Sequence, residues 1–449
     1  MRRALVLPAV VLAGLSLGSE PTRGAGVLRI ASVERLYTGN GQATRAGEVV
    51  VAMQPTATER DAARVMWEAG GARARRSAFG PRFRLTLDAG FSVEEALRRL
   101  RQMPEVAYAE PSYIARATQA RPGHFAPNDE FYRFQWNMRM IDAERTWGIQ
   151  KGDGSVAVAV LDTGVAYEDF GPFRKAPDWG NTVFLPGFDF ANGDDHPNDD
   201  EGHGTHVAST IAEEANNSEG VAGLAFECAI MPVKVLDTAG EGSFFDVAEG
   251  VDYAINFTQN GQKPVKVINL SLGGPGESRA LREAIERAVA AGVTVVASSG
   301  NDDASSVDFP AAFPSVIAVG AVDQRKVRAR YSNYGSALDL VAPGGDLRRD
   351  DDRDGFPDGI AQQTLDSDFV ERGRYDVFDY FLFNGTSMAT PHVSAAAALL
   401  YRQGITNPVA IQRALELTAE DLGPSGRDDQ YGHGLIRPAE ALKGLGFNR

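Results

Sequence analysis

The stretch SVAVAVLDTGV, residues 155–165, governs the reading of everything around it. Val156 to Leu161 are apolar at every position and not at alternate ones, so a strand built from them is covered on both faces. It delivers Asp162 into a turn at Gly164. Runs of the same texture return at AIMPVKVL (229–236), VKVINLSL (265–272), GVTVVASSG (292–300) and VIAVGAVD (316–323). Between them GTHVASTIAEEA (204–215), DVAEGVDYAINF (246–257) and ALREAIERAVAAG (280–292) repeat apolar residues at helical spacing. Short apolar runs alternating with amphipathic helices predict an α/β fold, a mostly parallel central sheet with helices on both faces. Reactive groups in such folds gather at the carboxyl ends of the strands, where Asp162 stands.

The chain has 449 residues, 43% of them hydrophobic, enough for two or three domains of about 100 to 200 residues each. Its opening, MRRALVLPAVVLAGLSLGSEP (1–21), carries two arginines, an apolar stretch from Ala4 to Leu17 and a small-x-small site at Ser16 to Gly18. This predicts a cleaved secretory signal peptide over residues 1–24. The other reading, a membrane anchor, needs about 20 apolar residues, and the stretch is shorter. The expectation is a secreted protein, extracellular or periplasmic, with no membrane contact after cleavage. The single cysteine, Cys228, allows no internal disulfide and reads as an inert core residue.

Charge is unevenly spread. Residues 26–120 hold 14 arginines and no lysine against 10 acids, whereas residues 121–449 hold 28 basic residues against 49 acids. The two parts attract each other, and the strongly acidic larger part is a poor partner for nucleic acid. Within the basic part, GEVVVAM (47–53) and PRFRLTLDAG (81–90) alternate like short strands, and TERDAARVMWEAGG (58–71) and SVEEALRRLRQM (92–103) have helical spacing. Residues 45–115 therefore form a small α+β unit. TQARPGHFAPND (118–129) lacks periodicity and marks a linker, taken as 116–127, before a larger unit spanning 128–449.

Two further motifs fall at helix starts. DDEGHGTHVAS (199–209) sets His203 between glycines, and FNGTSMATPHVSAAAALL (383–400) sets Ser387 before an apolar run. Taken alone, Ser387 reads first as a helix cap, and Asp162 as an acid that caps a following helix. Taken together they are the parts of a nucleophilic triad: a serine hydroxyl needs an imidazole to take its proton, and the imidazole needs a buried carboxylate to hold its tautomer. Separation along the chain is no objection, because such groups meet in space. His203 and His206 beside Asp199, Asp200 and Glu201 also suggest zinc, but no third ligand stands at a defined spacing.

VLDTGV (160–165), GHGTHVA (202–208), SSGN (298–301) and GTSMATPHV (385–393) together resemble the signature blocks of the subtilisin-like serine protease family, over Asn128 to Leu442. The resemblance implies a three-layer subtilisin-like fold and a serine endopeptidase that cleaves polypeptides through an acyl-enzyme. It implies Asp162 as orienting carboxylate, His203 as general base and then acid, Ser387 as nucleophile, and Asn301 with the Ser387 N–H as oxyanion hole. The strand VINLSLGG (267–274) resembles the family's edge strand that pairs with an extended peptide substrate. Ser271, Leu272, Gly273 and Gly274 would face Ala297, Ser298, Ser299 and Gly300 across the pocket for the residue before the cut, with room for a large apolar side chain. The unit 45–115 resembles the family's inhibitory propeptide, making the chain an autoprocessed zymogen, cut between Ile114 and Asn128, and a monomer. The alternative, an inactive binding protein on the same fold, would be expected to lack one of these four residues. An esterase would place its serine in G-x-S-x-G, whereas Ser387 lies in GTSMA.

The same resemblance implies structural Ca2+. ANNSEGVAG (215–223) resembles the family's calcium loop, with Asn217 giving its side-chain oxygen and Ala215, Glu219 and Val221 their carbonyls, and Asp129 and Asp178 as carboxylate ligands. An acidic insert, taken as residues 345–380, departs from the family core. In GGDLRRDDDRDGFPDG (344–359), Asp350, Asp352, Asp354 and Gly355 fit the start of an EF-hand-like loop, but its twelfth position is Ala361 where a glutamate is expected. A solvated acidic loop is the other reading.

Overall fold

A computed structural model describes residues 28–29, 44–78, 80–88, 91–113 and 123–444. The expected signal peptide and residues 116–122 of the expected linker lie outside them. In the small unit, β2 (Thr44–Met53), α1 (Glu59–Glu68), β3 (Gly71–Arg76), β4 (Arg82–Leu87), α2 (Val93–Leu100) and β5 (Val106–Tyr113) follow one another, after a two-residue strand β1 (Leu28–Arg29). The four longer strands make an antiparallel sheet in the order β3-β4-β2-β5. Thr58 and Asp61 form a reciprocal capping box on α1, and Ser92 caps α2, so the two helix starts expected near these residues are locally encoded. Val49, Val51, Leu85, Leu97 and Leu100 close a core of its own between sheet and helices.

The larger unit begins with short helices α3 (Trp136–Met140) and α4 (Ala143–Trp147) and then winds around a seven-stranded sheet. Its strands are β6 (Ala157–Asp162), β7 (Phe188–Asp189), β8 (Ala229–Lys234), β9 (Val265–Leu270), β10 (Thr294–Ser298), β11 (Ile317–Val322) and β12 (Leu340–Pro343). Every ladder is parallel, in the order β12-β11-β10-β9-β6-β8-β7. All six residues of β6 are buried, as continuous apolar runs demand. Helix α5 (His203–Ala212) packs on α9 (Thr386–Arg402), while α6 (Phe244–Asn256) packs on α7 (Arg279–Ala290). Between α7 and α9 a hairpin of β13 (Ile360–Leu365) and β14 (Phe378–Phe383), carrying α8 (Ser367–Val370) at its tip, lies against α5, and β1 pairs antiparallel with β14. Helices α10 (Pro408–Thr418) and α11 (Pro438–Lys443) complete the chain.

Two details differ from expectation. The last linker residues are already docked on the larger unit: Phe125 N donates to Glu144 O at 2.9 Å, and its ring meets Trp147 edge-on. Strand β9 is an inner strand with β6 and β10 on its flanks. Only its extension past Leu270 is available to pair with a peptide, because the backbone groups of the strand itself are used in the sheet. Among the described residues no helix is long and apolar enough to cross a membrane.

Candidate active site

Strand β6 ends on Asp162, whose side chain is fully buried. Its Oδ1 accepts from Thr163 N at 2.8 Å and lies 2.7 Å from His203 Nδ1. Gly164, at φ +105°, turns the chain away where a side chain would strike the Asn198 carbonyl. Gly204 lets α5 approach: a Cβ there would fall 2.1 Å from Gly164 O. Helix α5 starts at His203 because Asp199 reaches in as a cap, accepting from Gly202 N at 2.8 Å and Thr205 N at 2.9 Å. Asp199 also accepts from Thr163 Oγ1 at 2.9 Å, so one carboxylate ties the Asp162 turn to the His203 helix.

The His203 side chain is 22% exposed. Burial alone would lower its pKa, but Asp162, Glu201 and Asp199 outweigh this and raise it to about 9. With Nδ1 on Asp162, Nε2 is the nitrogen left to exchange protons.

Ser387 is the second residue of α9. Its Oγ donates to Ser271 O at 3.0 Å, while Ser271 Oγ donates to Ser387 O at 2.9 Å. The second bond exists because Pro391 has no N–H to offer the carbonyl four residues before it, leaving Ser387 O open to Ser271. The first N–H of α9, that of Thr386, donates to Asn301 Oδ1 at 2.9 Å, and Thr386 Oγ1 donates to the same oxygen at 2.9 Å. Asn301 thus caps the helix from another part of the chain, and its amide nitrogen turns the other way. A Cβ on Gly385 would lie 3.6 Å from Ser387 N and 3.7 Å from Asn301 Nδ2, so both groups border one small space. Two N–H donors around one point are the geometry that stabilises an oxyanion.

His206 and His392 are held by packing and hydrogen bonds. His206 is fully buried, stacks on Phe383 at 4.2 Å and bonds through Nε2 to Ile360 O at 3.0 Å; burial lowers its pKa to about 3. His392, also fully buried, sits 2.8 Å from Asn137 Nδ2 and 2.9 Å from Met388 O, with its pKa lowered by burial to about 4. Both are packing groups, and neither pairs with His203 as a zinc ligand.

Several contributors were not legible as motifs. Lys234, at the end of β8, is 1% exposed and donates to Thr163 O at 2.7 Å, Asp200 Oδ1 at 2.7 Å and Leu236 O at 2.8 Å, bracing the Asp162 turn from below. A lysine inside an apolar strand was the signal that could have found it. Thr386 was visible only as part of GTS.

Residues 271–274 and 297–300 lie side by side at the ends of neighbouring strands. Ser298 Oγ donates to Leu272 O at 3.3 Å, and Gly274 exchanges backbone hydrogen bonds with Phe309, both at 2.9 Å. The calcium-loop residues also converge. Both Asp129 oxygens accept from Asn216 N, and Asp178 accepts from Asn217 Nδ2 at 2.6 Å and Val221 N at 3.1 Å. Burial raises Asp129 to about 6 and Asp178 to about 7. Glu213 is fully buried next to Asp178, and burial together with the Asp178 carboxylate pushes its carboxyl well up. Buried acids set this close to one another fit a cation that offsets their charge. In the acidic insert, Asp350 and Asp352 are brought within 4.8 Å of Asp358, whereas Asp354 turns back to accept from Phe356 N at 2.9 Å. Ala361, at the twelfth position, is buried inside β13, so EF-hand spacing does not continue.

Both units resemble parts of known proteins. Residues 153–434 match the Subtilase family and residues 34–112 the Fervidolysin N-terminal prodomain. The chain is 36% identical over 342 residues to a thermophilic serine proteinase of Bacillus sp. (strain AK1), covering 76% of this chain and 74% of that one. It is 37% identical over 309 residues to subtilisin Savinase of Lederbergia lenta, 69% of this chain and 98% of that one. A solved protease structure from Pseudoalteromonas arctica PAMC 21717 superposes with a TM-score of 0.60 at 31% identity, covering 71% of this chain and 99% of that one. With its parallel sheet, its prodomain and this similarity, the chain belongs to the subtilase family of serine proteases.

Proposed function

We propose that the protein is a secreted serine endopeptidase, made as a zymogen, that cleaves polypeptides through an acyl-enzyme on Ser387. The observation that carries this reading is the convergence of Ser387 N and Asn301 Nδ2 on one space beside Gly385, with His203 Nδ1 held 2.7 Å from buried Asp162. For attack, the Ser387 hydroxyl gives up its bond to Ser271 O and passes its proton to His203 Nε2. Its oxygen joins the scissile carbonyl carbon, and the oxygen of that carbonyl takes the negative charge between the two N–H donors. His203 then returns the proton to the leaving amine, and water repeats the cycle to release the acid. Asp162 holds the imidazole upright and stabilises its charged form.

The unit 45–115 acts as an intramolecular inhibitor until the chain is cut before Asn128. Its excess of arginine complements the acidic larger unit. Calcium at the 215–221 loop would be held by the side chains of Asp129, Asp178 and Asn217 and by the carbonyls of Ala215, Glu219 and Val221. When bound, it offsets the charge of buried carboxylates and ties their segments together. The test is casein digestion by the purified protein, with and without a serine-directed fluorophosphonate, beside Ser387→Ala. Activity is expected only in the uninhibited wild type; equal digestion by Ser387→Ala rejects the mechanism.

A further inference from the structure

The pocket beside Ser387 has a third side that the motifs do not name. Its first two sides are residues 271–274 and 297–300, small at most positions, with room for a large side chain. The third is formed by Asp308 and Phe309. Asp308 N donates to Ser299 O at 3.0 Å, and Phe309 pairs with Gly274, so this segment is stitched to both walls. The two wall glycines locate the acid side chain between them. A Cβ on Gly273 would lie 3.5 Å from Asp308 Cβ, and a Cβ on Gly300 would lie 2.4 Å from Asp308 Oδ2.

Asp308 is half-buried. It has no hydrogen-bond or ion-pair partner among the described residues, and the charge acting on it is another acid, Asp302. The arginines of this region are engaged elsewhere: Arg282 with Glu277, and Arg328 with Asp303. A partly desolvated carboxylate without a cation is costly for the free protein, and an incoming cation relieves that cost. Phe309, partly exposed and backed by the buried ring of Phe313 4.8 Å away, adds apolar surface beside it, suited to the methylene stem of a long basic side chain.

We propose that Asp308 selects lysine or arginine as the residue before the scissile bond, giving the enzyme a preference for basic polypeptide sites over apolar ones. An acid at the base of a serine protease's specificity pocket acts in this way because it pairs with the substrate cation away from bulk water. The proposal rests on the reading of Ser387 as nucleophile and of residues 271–274 and 297–300 as pocket walls. Size alone admits a large apolar side chain; the unpaired charge changes which large side chain is preferred.

The experiment uses the mature enzyme with fluorogenic peptides identical except for Arg, Lys, Phe, Leu or Glu before the cut. A parallel arm labels Ser387 with a fluorophosphonate, and another measures inhibition by benzamidine, a small planar cation. Arg and Lys peptides are expected to exceed Phe and Leu by at least tenfold in kcat/KM. Asp308→Asn is expected to lower the Arg-to-Phe ratio at least tenfold and to weaken benzamidine by a similar factor. A labelled enzyme that prefers Phe or Leu, or an Asp308→Asn variant with an unchanged ratio, overturns the proposal alone. Absence of both labelling and hydrolysis overturns the catalytic reading beneath it. Where Asp308→Asn does not fold, the wild-type ratio together with benzamidine still decides.

Discussion

Asn301 Oδ1 accepts two hydrogen bonds from Thr386, and this fixes which way its amide nitrogen points. Asn301→Ala is expected to lower kcat by about 10²–10³ with little change in KM, a magnitude known for a lost oxyanion donor in subtilisin and carried over from it. Thr386→Val removes the hydroxyl bond and keeps the backbone one. The loss of about 1 kcal/mol of orientation corresponds to about fivefold in kcat. In the Asn301→Ala background the same change should have no effect on kcat, and independent, multiplying effects would show that Thr386 does not act through Asn301. His203 carries the pH dependence. Its imidazole must be neutral to accept the Ser387 proton, and its acid neighbours raise its pKa to about 9. The kcat/KM profile should therefore still be rising at pH 7 and level off only in the alkaline range; a midpoint at or below about 6.5, the ordinary histidine value, contradicts this. The sign for stability is opposite. A raised folded pKa stabilises the protein fully below about 6.5, and that contribution fades as pH climbs through the folded pKa. Across this window the enzyme gains base catalysis as it loses the favourable charged pair.

Helices α5 and α9 both start without a side-chain cap from their own N-cap residue, which is glycine in each case. Asp199 accepts from the N–H of the N-cap Gly202 and from Thr205 N in the first turn of α5, and Asn301 accepts the first N–H of α9, so each cap also positions a residue of the proposed site. Lys234 extends the same logic to β8. Lys234→Met keeps the volume but leaves Asp200 buried without its partner, so the melting temperature should fall by an amount equivalent to about 3–5 kcal/mol. Adding Asp200→Asn should recover part of that loss, and a single variant as stable as wild type would show that the pair braces nothing. The elements themselves were legible because β6, β8, β9, β10 and β11 are buried on both faces and leave continuous apolar runs in the sequence. The candidate residues Asp162, His203 and Ser387 stood out because they sit at a strand end and at helix starts, where glycine and threonine mark the chain. Lys234, Thr386 and Asp308 were not, because each acts through a partner remote in sequence: Thr163, Asn301 and the pocket walls. The inner position of β9 was hidden for a related reason, since a run apolar on both faces does not reveal which strands flank it.

At the scale of the molecule, two units with separate cores share one chain, and unequal charge is the long-range force between them. The proposed calcium loop would add a second tie, within the larger unit. Asp129 lies before α3, Asp178 after β6 and Asn217 after α5, so one cation would join three segments distant in sequence. Removing calcium from the mature enzyme should lower its melting temperature, and restoring it at about 100 times its dissociation constant should return about 2.7 kcal/mol. An unchanged melting temperature in chelator rejects the site. The small unit makes the last prediction. If it is an inhibitor cut by the enzyme that carries it, the full-length wild type should yield a large fragment beginning between residues 114 and 128, whereas Ser387→Ala should remain joined under the same conditions. Mass spectrometry of both chains reads this directly, and cleavage of Ser387→Ala at the same bond in the absence of other proteases excludes self-processing. Salt then tests the electrostatic part. Raising ionic strength from 0.1 M to 1 M shortens the screening length from about 10 Å to about 3 Å, which weakens attraction between an arginine-rich unit and an acidic one. Freshly cut enzyme should therefore regain peptide-hydrolysing activity more readily at 1 M than at 0.1 M, and a stronger hold at high salt would mean that apolar contact, not charge, keeps the inhibitor in place.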